Sequence, residues 1–368
     1  MQRPRTVWFK LLAVVGGLVL ALALAEAAIR IVEGQAPRPE QVTVHPVATD
    51  SLTNPLGLRD RVDALPEDPD LLRIAFLGDS FTYGLGVQAG QAFVRRTGVL
   101  LRERKTRWTI TVNLGRPGVD LITAWTILNQ VADTVRPDVV VHVLSQDDLD
   151  VDLYQEGQAI ERLVSERSWL SRYSRLFDRA ETAIRWSMAT PRIVDHMQGG
   201  ATPQQRERAW RIADHQIRAI RDLVVARGGA YVLVRFPCLR WVDGGKPYPL
   251  EETHDKTAKL AEQLGVPYLD LLETFRGRDP AEMCLSTSDD HPTPAAHQIA
   301  AEAIADFLVR AVLPMAQTKP ATRPAKPRSA QEVVAAEISQ YEQILQLDPT
   351  CASARFWLDK ARNRPRRP

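Results

Sequence analysis

The sequence predicts an α/β protein built on a doubly wound, parallel five-stranded sheet. Three observations lead there. Short apolar, β-branched runs alternate along the chain with stretches of helical period, the pattern of repeated βαβ units. Asp138–Leu144 reads Asp-Val-Val-Val-His-Val-Leu, an almost unbroken apolar run that suits a central strand covered on both faces. Late in the chain, Thr293-Pro294 supplies an N-cap and a first-turn proline for a closing helix.

The elements follow in order. Arg3, Arg5 and Lys10 precede Leu11–Ala25, fifteen residues without a charge. A bilayer span wants about 20 apolar residues, a count met if Val7-Trp8-Phe9 joins and Lys10 snorkels. Residues 1–32 therefore read as a signal anchor, a single transmembrane helix. Ala23-Leu24-Ala25 also suits signal-peptidase cleavage, which would release the protein. Glu26 and Arg30, four apart, can pair on a continuing helix. The basic start stays cytoplasmic and the body is exported in either case. Residues 33–70, rich in Pro and Asp, read as a stalk and lead-in.

The main domain spans 71–313. Its expected strands are Arg73–Leu77, Thr109–Leu114, Asp138–Leu144, Ala230–Phe236 and Val266–Leu269. Helices are expected over Gln91–Lys105, Leu121–Val135, Thr253–Leu264 and Pro294–Val312. Ile212, Ile217, Ile220, Leu223 and Val224 mark one more crossover helix. Residues 150–205 are too long for a simple crossover. They read as a helical insertion whose aromatics either form a substrate lid or pack a small cap. A Pro-rich linker occupies 314–330. A helical pair follows over 331–363, with Val334, Ile338, Tyr341 and Leu345 as an apolar stripe. Tyr341 to Pro349 resembles the second helix and exit of a tetratricopeptide repeat. Such repeats need about three units for stability, so a lone pair must dock on its own domain, dock on a protein partner or stay marginal, and docking on its own domain is expected.

The 368 residues carry 45% hydrophobic and 25% charged side chains and a net charge of +2. That is globular and calls for no nucleic acid. The basic C-terminal tail is short and reads as solvated. Three cysteines make no framework and no metal spacing. Cys238 and Cys284 follow and precede segments that end near each other, so either one disulfide or two free thiols is expected. The histidines show no metal spacing, and no Gly-rich phosphate loop is present. No metal or cofactor is expected. His142, inside an apolar strand, reads as a core residue with a hydrogen-bond partner. The acidic run Asp147, Asp148, Asp150 and Asp152 lacks the glycine and glutamate of a Ca²⁺ loop and reads as solvated.

Two segments carry chemistry. Gly78-Asp79-Ser80-Phe81-Thr82-Tyr83-Gly84 follows the first strand, and Asp289-Asp290-His291-Pro292 precedes the last helix. Both fall where open α/β sheets place their sites. A serine needs a base to become a nucleophile, and imidazole serves near neutral pH. Thr82 stands where a Gly-x-Ser-x-Gly elbow would need glycine, which excludes that nucleophile turn.

These motifs resemble the SGNH, or GDSL, hydrolases over about residues 70 to 313. Their Gly-Asp-Ser is matched by Gly78-Asp79-Ser80. Their second-block glycine is matched by Gly118 in Asn113-Leu114-Gly115-Arg116-Pro117-Gly118. Their Gly-x-Asn-Asp reads Ser145-Gln146-Asp147-Asp148 here, and their Asp-x-x-His-Pro is shortened by one residue. The resemblance implies a flavodoxin-like SGNH fold and an exported serine esterase. Ser80 would be the nucleophile, His291 the base and Asp289 its orienter, with Asp290 as the alternative. Ser80 N–H and Gly118 N–H would hold the oxyanion. Asp147 replaces the family's amide donor, and an ionised carboxylate cannot donate; either Gln146 takes that role, Asp147 is protonated, or activity has decayed. The implied substrates are acyl esters, acetyl included, of a carbohydrate, lipid or small molecule outside the cytoplasm of a bacterial cell. Transfer to a glycan hydroxyl, and a non-catalytic envelope binding role, are the alternative functions.

Overall fold

The computed structural model describes residues 4–35, 58–60, 68, 70–104, 108–149, 168–198, 200, 202–245, 247–286, 289–314 and 327–364. Most of the expected stalk, the first part of the insertion (150–167), most of the linker and the basic tail lie outside the described residues. The chain forms two compact units, Met1–Thr43 with Gln158–Ile193, and Val44–Gly157 with Val194–Pro368.

The second unit holds the sheet. Its strands are β1 (Leu71–Gly78), β2 (Trp108–Gly115), β3 (Val139–Leu144), β4 (Ala230–Arg235) and β5 (Tyr268–Asp270). They run in the order β2-β1-β3-β4-β5, every pair parallel. All six residues of β3 are buried, as its apolar run requires. Strand alternation divides the core. Ala75, Leu77, Val112, Leu114, Val140 and Leu233 pack with helices over Leu121–Val135, Pro203–Ala226 and Glu251–Leu264. On the other face Phe76 meets Phe93, which also contacts His297. Helices on both faces make the sheet doubly wound.

In chain order the helices are α1 (Pro4–Gln35), α2 (Ser80–Tyr83), α3 (Phe93–Glu103), α4 (Leu121–Val135), α5 (Arg175–Met197), α6 (Pro203–Ala226), α7 (Glu251–Leu264), α8 (Leu272–Phe275), α9 (Pro280–Met283), α10 (Pro294–Phe307), α11 (Ala330–Leu347) and α12 (Ala352–Arg362). Helix α10 starts as expected, with the Thr293 hydroxyl accepting from Ala296 N. It ends in a π-helical turn, Leu308–Val312. The last strand begins two residues later than expected, at Tyr268. Chain reversal lies at the border of β1 and β3, because the chain runs from β1 out to β2 and then crosses back past β1 to β3 and on to the other edge. Their carboxyl ends frame the crevice where such sheets bind ligands.

Within the stretch read as stalk and lead-in, Leu58, Arg59 and Asp60 are buried. Asp60 accepts from Asn113 N and from Arg95. The acidic run is not uniformly solvated either: Asp148 is buried and accepts from Ser145 N, because it closes the chain turn off β3.

The terminal helical pair docks on its own domain. Tyr341, Ile344, Cys351, Ala354, Leu358 and Ala361 pack with Ile122 and Ile212. Tyr341 shares a 2.7 Å hydrogen bond with Thr126, and Trp357 Nε1 donates to Thr123 Oγ1 at 3.1 Å. Ser353 Oγ donates to Asp120, whose other carboxylate oxygen caps α4 at Thr123 N. The buried face of α11 differs from the apolar stripe read in the sequence. It takes in Glu337 and Gln340, because Gln130 donates to the first, Arg364 pairs with its charge and His215 meets the second.

The first unit contains α1 and most of α5. Ala13–Ile31 of α1 is long and apolar enough to cross a membrane, with none of it buried. Glu26 and Arg30 pair at 2.7 Å, four residues apart.

Candidate active site

Ser80 is the first residue of α2. Asp79 caps this short helix, its carboxylate accepting from Phe81 N at 2.9 Å. Gly84 ends it in the left-handed region at φ +79, where glycine carries no Cβ penalty. Three contacts hold α2 from below. Arg59 donates to Gly84 O (2.7 Å), Tyr83 O (3.2 Å) and Val87 O (2.6 Å). Asn113 Nδ2 donates to Thr82 O at 2.8 Å while its Oδ1 accepts from Gly115 N. At Gly115 itself the backbones nearly touch, since a Cβ there would fall 2.4 Å from Tyr83 N. Arg59 and Asn113 were not singled out in the sequence. Arg59 belongs to no periodic pattern, and Asn113 falls in an expected strand and opens the stretch that holds Gly118 without itself matching a motif position.

His291 comes from a different element. Leu285 N donates to His291 O and Thr293 N to Met283 O, both at 2.9 Å, around a bridge between Cys284 and Pro292. This hairpin-like clamp leads straight into α10. His291 Nε2 lies 2.8 Å from Ser80 Oγ, and Nδ1 lies 2.6 Å from Asp289 Oδ1. Asp289 also accepts from His291 N at 3.1 Å. The Phe81 ring packs on the imidazole with centroids 5.3 Å apart. Burial works against charge on His291, but Asp289, Asp290 and Asp79 outweigh it and raise its pKa above the ordinary 6.5. Burial likewise opposes ionisation of Asp289, yet the hydrogen bonds from His291 and the charges of His291 and Arg240 hold its pKa below the usual value. With Nδ1–H donated to Asp289, neutral His291 presents its Nε2 lone pair to the serine hydroxyl.

Asp290, weighed as the alternative orienter, turns away. It accepts from Gln146 Nε2 at 2.8 Å and lies 3.5 Å from Cys238 Sγ. Gln146 is buried, its Oε1 without a partner among the described residues, and its bond to Asp290 bridges the end of β3 to the His291 loop. Asp147 belongs to the 3₁₀ turn Gln146–Leu149; its side chain lies outside the described residues. Gly118 sits in the exposed turn between β2 and α4 at φ +69, with open space where a Cβ would be. Asp79 is fully buried. Burial raises its pKa against hydrogen bonds from Ser145 Oγ, at 2.5 Å, and Phe81 N.

Asp289, Asp290 and His291 bring ligand atoms close enough for a cation. Both ring nitrogens of His291 are already engaged, by Ser80 and Asp289, so the donor set fits hydrogen bonding better than metal. Cys238 and Cys284 are free, buried thiols, and burial pushes Cys284 up to about 12. Of the two expectations, disulfide or free thiols, the structure has the second. Other histidines serve the core: His142 pairs with Tyr231 at 2.7 Å, and burial takes its pKa down to about 3.

The model of the GDSL-like Lipase/Acylhydrolase family matches residues 76–299. Solved structures similar to the chain include a putative lipolytic protein of the G-D-S-L family from Desulfitobacterium hafniense DCB-2 (11% identity, 64% of this chain and 99% of that one, TM-score 0.39). A catalytic mutant of an acetylxylan esterase from Geobacillus stearothermophilus aligns at 16% identity over 64% of this chain and 94% of that one, with a TM-score of 0.41. A psychrotrophic esterase from Pseudoalteromonas sp. aligns at 11% identity over 65% and 97%, again with a TM-score of 0.41. No curated protein sequence matches the chain. The family match, which spans more than half of the sequence and contains Ser80, Gly118, Asp289 and His291, carries the conclusion: the chain belongs to the GDSL-like lipase/acylhydrolase family and is an ester hydrolase.

Proposed function

We propose that the protein is an exported serine esterase held to the membrane by α1, with Ser80, His291 and Asp289 as its triad. The observation that carries this reading is the unbroken relay from Ser80 Oγ through His291 to Asp289, at 2.8 and 2.6 Å. His291 Nε2 takes the Ser80 proton as Oγ bonds to the ester carbonyl carbon. The carbonyl oxygen becomes an oxyanion, received by Ser80 N–H and Gly118 N–H. As the C–O bond breaks, His291 returns its proton to the leaving alcohol. Water then repeats the sequence on the acyl-serine, yielding a carboxylic acid and free Ser80. Asp289 keeps the imidazole in the required tautomer and stabilises it when charged. The acidic surroundings that raise His291 make it a stronger base.

The substrates proposed are acyl esters of an envelope carbohydrate, lipid or small molecule; a glycan hydroxyl in place of water would make the same intermediate an acyl donor. The apolar, unburied Ala13–Ile31 segment and the basic residues before it support the anchor and an extracytoplasmic site. Covalent labelling by a fluorophosphonate tests the triad: the parent protein should label, and Ser80→Ala should neither label nor turn over short acyl esters. Parent protein that folds but never labels would favour the non-catalytic reading, to which the carboxylate at Asp147 points. A reporter joined after the last residue tests the topology and should work only outside the cytoplasm.

A further inference from the structure

In the unit that joins α1 to the insertion, one carboxylate ties the two together. Glu26 accepts from Ser174 Oγ at 3.0 Å and from Arg175 N and Leu176 N at 2.9 Å each. It thereby caps α5 from a neighbouring helix. Arg30, paired to Glu26, donates to Tyr173 O at 2.9 Å. Both residues fall in the last part of the Ala13–Ile31 window. Glu26 precedes its end by five residues, about 8 Å at the helical rise. Interfacial helices bury their apolar faces about 5–10 Å into the headgroup and acyl boundary. The start of α5 is therefore held at that depth if α1 spans.

The exposed side of α5 has the matching chemistry. Tyr173, Phe177, Ala180, Ile184, Met188 and Pro191 succeed one another at intervals of three or four residues, and all are exposed. Tyr173 is 74% exposed, Ile184 59% and Met188 58%, and Trp169, just before the helix, is 67% exposed. Spacing of this kind forms one continuous stripe along a helix. Trp and Tyr at its start are the residues that favour the membrane–water interface. The turn bearing Trp169 is fastened to α5, because Glu181 accepts from Ser168 and Ser171. Arg185, paired with Glu181, and Asp178 lie off the stripe, too many charges for a second span but ordinary on an interfacial helix.

We propose that this stripe lies on the outer leaflet of the bilayer that α1 crosses, making the insertion a second, interfacial membrane contact. The inference rests on the anchor reading. The fixed joint at Glu26 argues for lipid over a protein partner, which would have to approach at the same depth.

The test uses the full chain in vesicles of phosphatidylethanolamine and phosphatidylglycerol with brominated acyl chains. The native cysteines are buried, so a polarity-sensitive fluorophore can be placed on Ile184→Cys, Met188→Cys, Val19→Cys in α1, or Arg211→Cys on α6. The first three should lose most of their emission to the bromines, and the last should keep it. Quenching at position 19 with positions 184 and 188 behaving like 211 would overturn this inference alone. No quenching at any position would overturn the anchor with it. Cross-linking between two Ile184→Cys chains without quenching would mean that a second copy covers the stripe, and would overturn the lipid contact.

Discussion

Replacing Gly115 by alanine should disable the site while leaving the domain folded. Gly115 ends β2, paired with Gly78, and α2 passes directly against it. An added methyl carbon would lie 2.4 Å from Tyr83 N, 2.7 Å from the Thr82 carbonyl carbon and 2.8 Å from Thr82 Cβ, where ordinary contact begins at 3.4 Å. The shortfall is about 1 Å, and the nearest obstacles are backbone, not the end of a flexible side chain. Strand β2 cannot yield easily, because it is paired to β1 along eight residues. Helix α2 must therefore move by about 1 Å, carrying Ser80, while His291 stays on its own clamp. A misplacement of that size costs on the order of 100-fold in rate. Overpacking typically costs about 1–3 kcal/mol, against about 5–15 kcal/mol for a whole domain. Hydrolysis of p-nitrophenyl acetate should show kcat down about 100-fold, with the labelling rate of Ser80 falling in parallel and the circular dichroism unchanged. A folded Gly115→Ala protein with the parent's kcat would refute the claim that this close approach positions the nucleophile.

Further outcomes concern the relay, the turn after β3 and the terminal helices. His291 must be neutral to accept a proton, and its pKa is raised, so kcat/KM should fall with decreasing pH already above about 6.5. Asp289→Asn should move that acid limb to lower pH and cut kcat by up to about 10⁴-fold; a profile identical to the parent's would remove Asp289 from the relay. Gln146→Ala should loosen the His291 loop by releasing Asp290, lowering kcat. If Asp147 lines the oxyanion hole as an ionised group, Asp147→Asn should raise kcat, whereas kinetics blind to both substitutions would place that turn outside the site. Tyr341→Ala should cost about 3–5 kcal/mol in urea unfolding, because a fully buried ring and its bond to Thr126 are lost; a loss below about 1 kcal/mol would mean that the terminal pair is not integral.

Periodicity carried the fold. The apolar run of β3 and the Thr293-Pro294 start of α10 were readable because burial and capping leave local traces. Ser80 and the Asp289–His291 pair were readable because short motifs flank strand and helix ends, and the structure has them in hydrogen-bond contact. Choosing between Asp289 and Asp290 depended on loop geometry that spacing does not encode: the clamp at Cys284 and Pro292 aims one carboxylate at Nδ1 and the other at Gln146. Arg59 was invisible for another reason. A single long side chain gathering three carbonyls leaves no pattern, and its neighbours looked like linker. Glu337 shows the converse, since a reading by apolar stripe leaves out a buried carboxylate that meets Gln130, two hundred residues earlier in the chain.

The seam between the terminal helices and α4 also orders events in time. Ile122 and Tyr341 meet across roughly 220 residues, a stretch that takes on the order of ten seconds or more to synthesise. Until then, the sides of α4 and α6 that will receive Tyr341 and Ile344 stand in water, and Asp120 lacks the hydroxyl of Ser353. A growing chain thus carries an unfinished apolar face next to the turn that holds Gly118. Its protection before α12 arrives falls to whatever escorts the nascent polypeptide.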